Sequence, residues 1–155
     1  MKNDKDTLKR LFPDYFDRFD LPEGAREESI VVYRACKSGQ CDYISFMPTF
    51  EEQGYKYLEG QDPKDPGVYS LSTFEKPNHV KRFVTMDAGF GKPYKIAKGN
   101  THSQYGLVQR TRERIKKRKN SHVDWWLYKG AKPYESFEMI DNFEEYYSEY
   151  NNNNV

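Results

Sequence analysis

His122-Val123-Asp124-Trp125-Trp126-Leu127-Tyr128 is the stretch on which the reading of the fold turns. Successive side chains of a strand point to opposite faces, so Asp124, Trp126 and Tyr128 share one side and Val123, Trp125 and Leu127 the other. Large apolar groups on both sides mark a strand buried inside a domain. Core packing does not account for an acid on the same face as two aromatics. Asp124 is either partnered by a cation such as Arg34, or set to orient a substrate hydroxyl and stabilise developing positive charge, or exposed to water at a sheet edge.

Two upstream stretches have the same character. Ile30-Val31-Val32-Tyr33-Arg34-Ala35-Cys36 is a β-branched run expected as a buried strand, with Arg34 near its end. An unpaired buried charge is costly, so the guanidinium either forms a salt bridge with one of the many acids or receives a phosphate or carboxylate through two parallel hydrogen bonds. Gly67-Val68-Tyr69-Ser70-Leu71-Ser72 supplies a second expected strand at 68–71. Gly67 allows close backbone approach, Tyr69 offers a stacking face, and Ser72 a hydroxyl at a strand end. That layout can seat a flat heterocycle, and it is equally ordinary packing and capping.

Farther out, Leu8, Leu11, Phe12, Tyr15, Phe16 and Phe19 fall on one face of a helical segment over 5–20, broken at Pro13. Pro48 makes 42–50 an irregular crossing segment, and 61–67 is a loop. Ser72 or Thr73 is expected to cap a helix over 76–84. A Gly-rich turn at 87–93 and a short strand at 94–99 follow, and 134–140 is an amphipathic or strand segment. Short strands separated by helical and irregular pieces predict an α+β fold, a small mixed-sheet domain with short helices. The domain is expected to span 1–150 with its core at 29–140, and residues 151–155 to form a disordered tail.

Composition narrows the class. The 155 residues carry 25 basic and 24 acidic side chains, so attraction to nucleic acid or membrane must come from local patches. Thirteen Tyr and ten Phe argue against disorder despite 32% charged residues. No apolar stretch approaches the roughly 20 residues of a membrane span, and the charged start lacks an export segment, so a soluble cytoplasmic protein is expected. Cys36 and Cys41 are the only cysteines, and His79, His102 and His122 lack finger spacing, so no metal is expected.

Taken in order, these segments resemble the ADP-ribosyltransferase superfamily of bacterial toxins and poly-ADP-ribose polymerases. Val31-Val32-Tyr33-Arg34-Ala35 is similar to the family strand whose histidine or arginine holds NAD. Gly67-Val68-Tyr69-Ser70-Leu71-Ser72 resembles the motif whose aromatic stacks on nicotinamide and is followed by serine. Asp124-Trp125-Trp126-Leu127-Tyr128 resembles the strand that opens with the catalytic acid, and Ile96-Ala97-Lys98-Gly99 a short family strand ending in glycine. The resemblance implies a split sheet and an enzyme that cleaves nicotinamide from NAD and transfers ADP-ribose to a macromolecular target. It implies Arg34 and Asp124 as catalytic groups, and Tyr33, Arg34, Tyr69, Ser70 and Ser72 as the NAD contacts. Two departures stand out. Arg34 matches the arginine-serine-glutamate branch while Tyr69 and Ser72 match the histidine-tyrosine-glutamate branch. Asp124 also replaces a longer glutamate, and a displacement of about 1 Å can cost on the order of 10²-fold in rate.

Within 110–119, Arg110, Arg112, Arg114, Lys116, Lys117, Arg118 and Lys119 form the densest charge run. In the family, the loop before the acid-bearing strand touches the target, so a nucleic acid or acidic protein is the expected partner. The alternatives are a solvated segment neutralised by Asp141, Glu144, Glu145 and Glu149, or a non-catalytic module that binds nucleic acid or an acidic protein through the run.

Overall fold

Among the described residues, runs of β-branched and aromatic residues become six strands. They are β1 (Val31–Ala35), β2 (Leu71–Phe74), β3 (Ile96–Asn100), β4 (Gly106–Arg110), β5 (His122–Leu127) and β6 (Phe137–Met139). The structure is a computed structural model and describes residues 11–87 and 95–153. All strands join one antiparallel sheet in the order β4-β5-β2-β1-β3-β6. With three short helices among the described residues, α1 (Thr49–Glu52), α2 (Pro77–Arg82) and α3 (Phe143–Asn153), this is the expected small α+β domain, with a wholly antiparallel sheet in place of the expected mixed one. Among the described residues no helix is long and apolar enough to cross a membrane.

The ladders are uneven. β1 pairs with β3 from Val31 opposite Asn100 to Ala35 opposite Ile96, and β2 with β5 from Leu71 opposite Trp125 to Phe74 opposite His122. Between β1 and β2 the register holds only at Tyr33 opposite Phe74. Gly99 of β3 is dictated by its neighbour, since a Cβ there would lie 2.4 Å from the Ser136 carbonyl oxygen and 2.6 Å from the Phe137 ring.

Strand alternation divides the core. Val32, Leu71, Ala97, Val108, Val123 and Trp125 share one face and pack with Phe46 and Phe137. The other face holds two separate clusters. One gathers Phe12, Phe16, Phe19, Phe50 and Tyr69 around Trp126, and the second gathers Phe74, Val80, Val84, Ile96 and Phe143 around Tyr33. Ser72, His122 and Asp124 belong to none of the three clusters and form a polar strip on that face.

Several expectations are corrected. The second strand begins at Leu71, not 68, because Pro66 opens a 3₁₀ turn (Pro66–Tyr69) whose N-cap Asp65 accepts the Gly67 N–H at 3.0 Å. Ser72 and Thr73 therefore lie in β2 and cap nothing; the N-cap of α2 is Lys76, with Pro77 first in the helix. The strand β4 was not anticipated, because Gln109 and Arg110 lead directly into the charge run. The N-terminal helical segment is a 3₁₀ turn over Asp14–Arg18, and its expected part at 5–10, with Leu8, lies outside the described residues. So do residues 88–93 of the expected Gly-rich turn. In the tail, α3 runs through Asn153, with Phe143, Tyr146 and Tyr147 packed on the Tyr33 cluster.

Candidate functional site

Asp124 is 1% exposed and every direct partner to its carboxylate is a donor. Ser70 Oγ donates to Oδ1 at 2.6 Å, Thr111 Oγ1 to Oδ2 at 2.7 Å, and Arg114 Nη2 to Oδ2 at 2.9 Å. The second branch of Arg114 donates to Gln109 Oε1 at 2.6 Å, and its guanidinium lies 5.7 Å from the Trp126 ring centroid. Burial pushes the carboxyl up, but the neighbouring His122, Ser70, Arg114 and Thr111 outweigh it and hold Asp124 below the usual aspartate range. The group is an ionised acid in a dry setting.

His122 stands two residues away on the same face. Its Nδ1 lies 2.5 Å from Thr111 Oγ1, so with the threonine proton given to Asp124 the ring donates from Nδ1 and keeps Nε2 unprotonated. Burial pushes His122 down to about 4, against the pull of Asp124, and the imidazole is neutral near pH 7. Asp124, His122, Thr111, Arg114 and Ser72 share a cleft of about 290 Å³ with Asp65 and Gly67. Phe74 and Phe83 supply its apolar wall. Small-molecule sites usually measure about 300–1,000 Å³, so the cleft has room for a nucleoside-sized group and not a whole dinucleotide. Among the described residues no group of His, Cys, Asp and Glu is arranged to hold a metal ion.

The other expected contacts lie elsewhere. Arg34 is on the opposite side of the sheet from Asp124, buried, and bound to backbone. Its Nε donates to Ser45 O at 2.8 Å and Nη1 to Ser72 O at 3.0 Å, with Glu52 3.8 Å from Nη2. It sits where the β1–β2 ladder stops, satisfying a β2 carbonyl that β1 leaves unpaired. Asp124's cation is thus Arg114, not Arg34. Tyr69 is fully buried, its ring stacked 4.2 Å from Phe19 and its hydroxyl donating to Pro63 O at 2.6 Å, because the 3₁₀ turn aims it into the aromatic cluster. Tyr33 faces the other cluster and its hydroxyl meets that of Tyr146. Ser70 touches the acid and Ser72 lines the cleft, so two serines and Asp124 converge while Arg34, Tyr69 and Tyr33 do not.

Thr111 and His122 were missed as site residues, and Arg114, expected to touch the target, binds the acid instead. Strand parity with Asp124 could have found His122. Thr111 and Arg114 come from the β4–β5 connection, and no pattern in the chain says which way that loop folds.

The basic run splits in two. Arg110 binds Glu28 at 2.9 Å and Glu75 at 3.2 Å, Arg112 binds Glu75 at 3.4 Å, and Arg118 donates to Asn120 at 3.1 Å. Arg110, Arg112 and Arg114 are neutralised by Glu28, Glu75 and Asp124 and not by the C-terminal acids, of which Glu144 pairs with Lys81. Lys116, Lys117 and Lys119 are exposed and make no ion pair with a described residue. Lys119 lines an open groove of about 700 Å³ with His79, Lys81, Arg82 and Asn120, and no acid among the described residues lines it.

Compared with known proteins, the chain matches no family profile, no curated protein and no solved structure.

Proposed function

We propose that the chain is an NAD-consuming, ADP-ribosyltransferase-like enzyme whose cleft over Ser72 and Asp124 takes the nicotinamide–ribose half of NAD. The observation that carries the reading is an ionised, almost fully buried carboxylate on the floor of a cleft beside the serine of the second motif. The single-pair junction between β1 and β2 suits the split sheet that the resemblance implies. Phe74 and Phe83 take over as the flat apolar walls for the nicotinamide, and Arg34 serves as a brace that holds Ser72 from behind.

Chemistry follows from charge. As the glycosidic bond to nicotinamide breaks, the electron pair leaves with the ring nitrogen and the ribose carbon becomes cationic, so a fixed carboxylate lowers the barrier. Asp124 in the free protein is neutralised by Arg114. A phosphate of NAD is a competing partner for that guanidinium, and its binding releases the acid for the ribose. The nucleophile of the target then attacks the cationic carbon.

Incubation of the folded protein with NAD is expected to release nicotinamide, with Asp124→Asn at least about 10²-fold slower. Folded protein that neither binds nor cleaves NAD would end this reading.

The groove lined by Lys81, Arg82 and Lys119 favours a second reading, a non-catalytic module that holds a phosphate backbone. It predicts salt-sensitive RNA or DNA binding that survives Asp124→Asn.

A further inference from the structure

Beyond the Leu127 end of β5, and sharing no residue with the Asp124 cleft, lies a pocket of about 340 Å³. Tyr15, Tyr43, Tyr55, Tyr128 and Tyr134 line it, and Glu51 of α1 supplies a carboxylate. The geometry points to a binding site for an organic cation of the quaternary-ammonium class, independent of the NAD reading.

Three observations carry this. First, the carboxylate is fixed and wrapped in aromatic hydroxyls: Tyr15 O–H donates to Oε2 at 2.5 Å and Tyr43 O–H to Oε1 at 3.4 Å. Burial, then the Glu51 carboxylate, pushes Tyr15 upward, so its phenol stays a donor to Glu51. Second, the rings stand at wide angles. Tyr15 and Tyr55 meet at 72° with centroids 5.9 Å apart, and Phe46 and Tyr134 at 59° and 6.2 Å. Walls that differ in direction offer several negative ring faces to one weakly hydrated cation, the arrangement that recognises alkylammonium groups. Third, Tyr55 has φ +63°, a left-handed backbone that glycine adopts freely and a tyrosine resists, yet its ring is 56% exposed. Strain of this kind persists where a side chain has a task, and here the ring forms one wall. A metal ion would lose hydration that rings do not replace, whereas a quaternary ammonium sheds little water and matches both the rings and the carboxylate.

Lys129 is the one cation among the lining residues. It is exposed, and it opposes a cationic guest, which gives the test its most discriminating arm. Calorimetric titration compares choline and N-trimethyl-lysine with 3,3-dimethyl-1-butanol, the neutral isostere of choline. At least one cation is expected to bind about 10-fold or more tightly than the neutral compound, and the tighter cation identifies the source. Tyr55→Gly is expected to keep the melting temperature at or near that of the parent while weakening the cation about 10-fold. Lys129→Gln, an exposed change that leaves folding intact, is expected to tighten it. Equal affinity for the neutral isostere, no binding of either cation at millimolar concentration, or unchanged affinity in both Tyr55→Gly and Lys129→Gln would overturn the assignment.

Discussion

Arg34 solves a problem created one strand away. Where β1 and β2 part, the Ser72 carbonyl loses its ladder partner, and a guanidinium from the adjoining strand replaces it while also holding Ser45 O. Arg34→Met keeps the volume and strands both carbonyls, so urea denaturation should register a loss of about 2–4 kcal/mol. Tyr69 is a second residue whose place is structural. Tyr69→Phe removes the bond to Pro63 O and the contact with the Tyr57 hydroxyl, and about 1 kcal/mol of stability should go with them. Nicotinamide release by Tyr69→Phe should match that of the parent, because the ring is turned away from the cleft. A fall of tenfold or more at equal folded fraction would return the ring to the site. Both residues were visible in the chain as unusual polar groups beside apolar runs. What each one bonds was not, since Ser45, Ser72 and Pro63 supply backbone carbonyls, which any residue has.

At the level of elements, β5 carries the acid and the histidine of the site, Asp124 and His122, and its period-2 pattern is legible in the chain. Val123, Trp125 and Leu127 do fill one core, and Trp126 the other. The same parity brings His122 beside Asp124, with a consequence for acid stability. An unfolded His122 takes its proton near 6.5, whereas burial in the sheet delays protonation to about 4. Between those values the unfolded chain binds more protons than the folded one, so acid favours unfolding. The full contribution is present above about pH 6.5 and is lost as pH falls toward 4. Denaturation midpoints should therefore drop between pH 7 and pH 5, and His122→Gln should flatten that segment of the profile. An unchanged slope in the variant would mean that another group governs it. Elsewhere the element pattern misled: Pro66 made a 3₁₀ turn from a segment rich in strand formers, and β4 hid inside the approach to a charge run.

Across the whole molecule, near-neutral charge conceals an uneven surface. Arg110, Arg112 and Arg114 tie β4 and its connection to Glu28, Glu75 and Asp124, while Lys116 and Lys117 are exposed and Lys119 lines the groove with Lys81 and Arg82. The two halves should separate on mutation. Lys116→Glu with Lys117→Glu and Lys119→Glu should leave the melting temperature nearly unchanged and abolish any polyanion binding measured by fluorescence anisotropy at low salt. Arg110→Ala should cost stability instead, because Glu28 and Glu75 lose their shared cation. Retained polyanion binding in the triple variant would remove these three lysines from consideration. The chain by itself determined a mixed α+β domain, the faces of its main strands and an acid set among aromatics, because side-chain alternation and turn chemistry are local properties of a polypeptide. Only the tertiary structure decided that Arg114 and not Arg34 neutralises Asp124, that Tyr69 enters a core, and that five tyrosines line one pocket with Glu51. Those choices depend on how loops bring distant residues together in space, and the burial energy of the whole chain fixes that route.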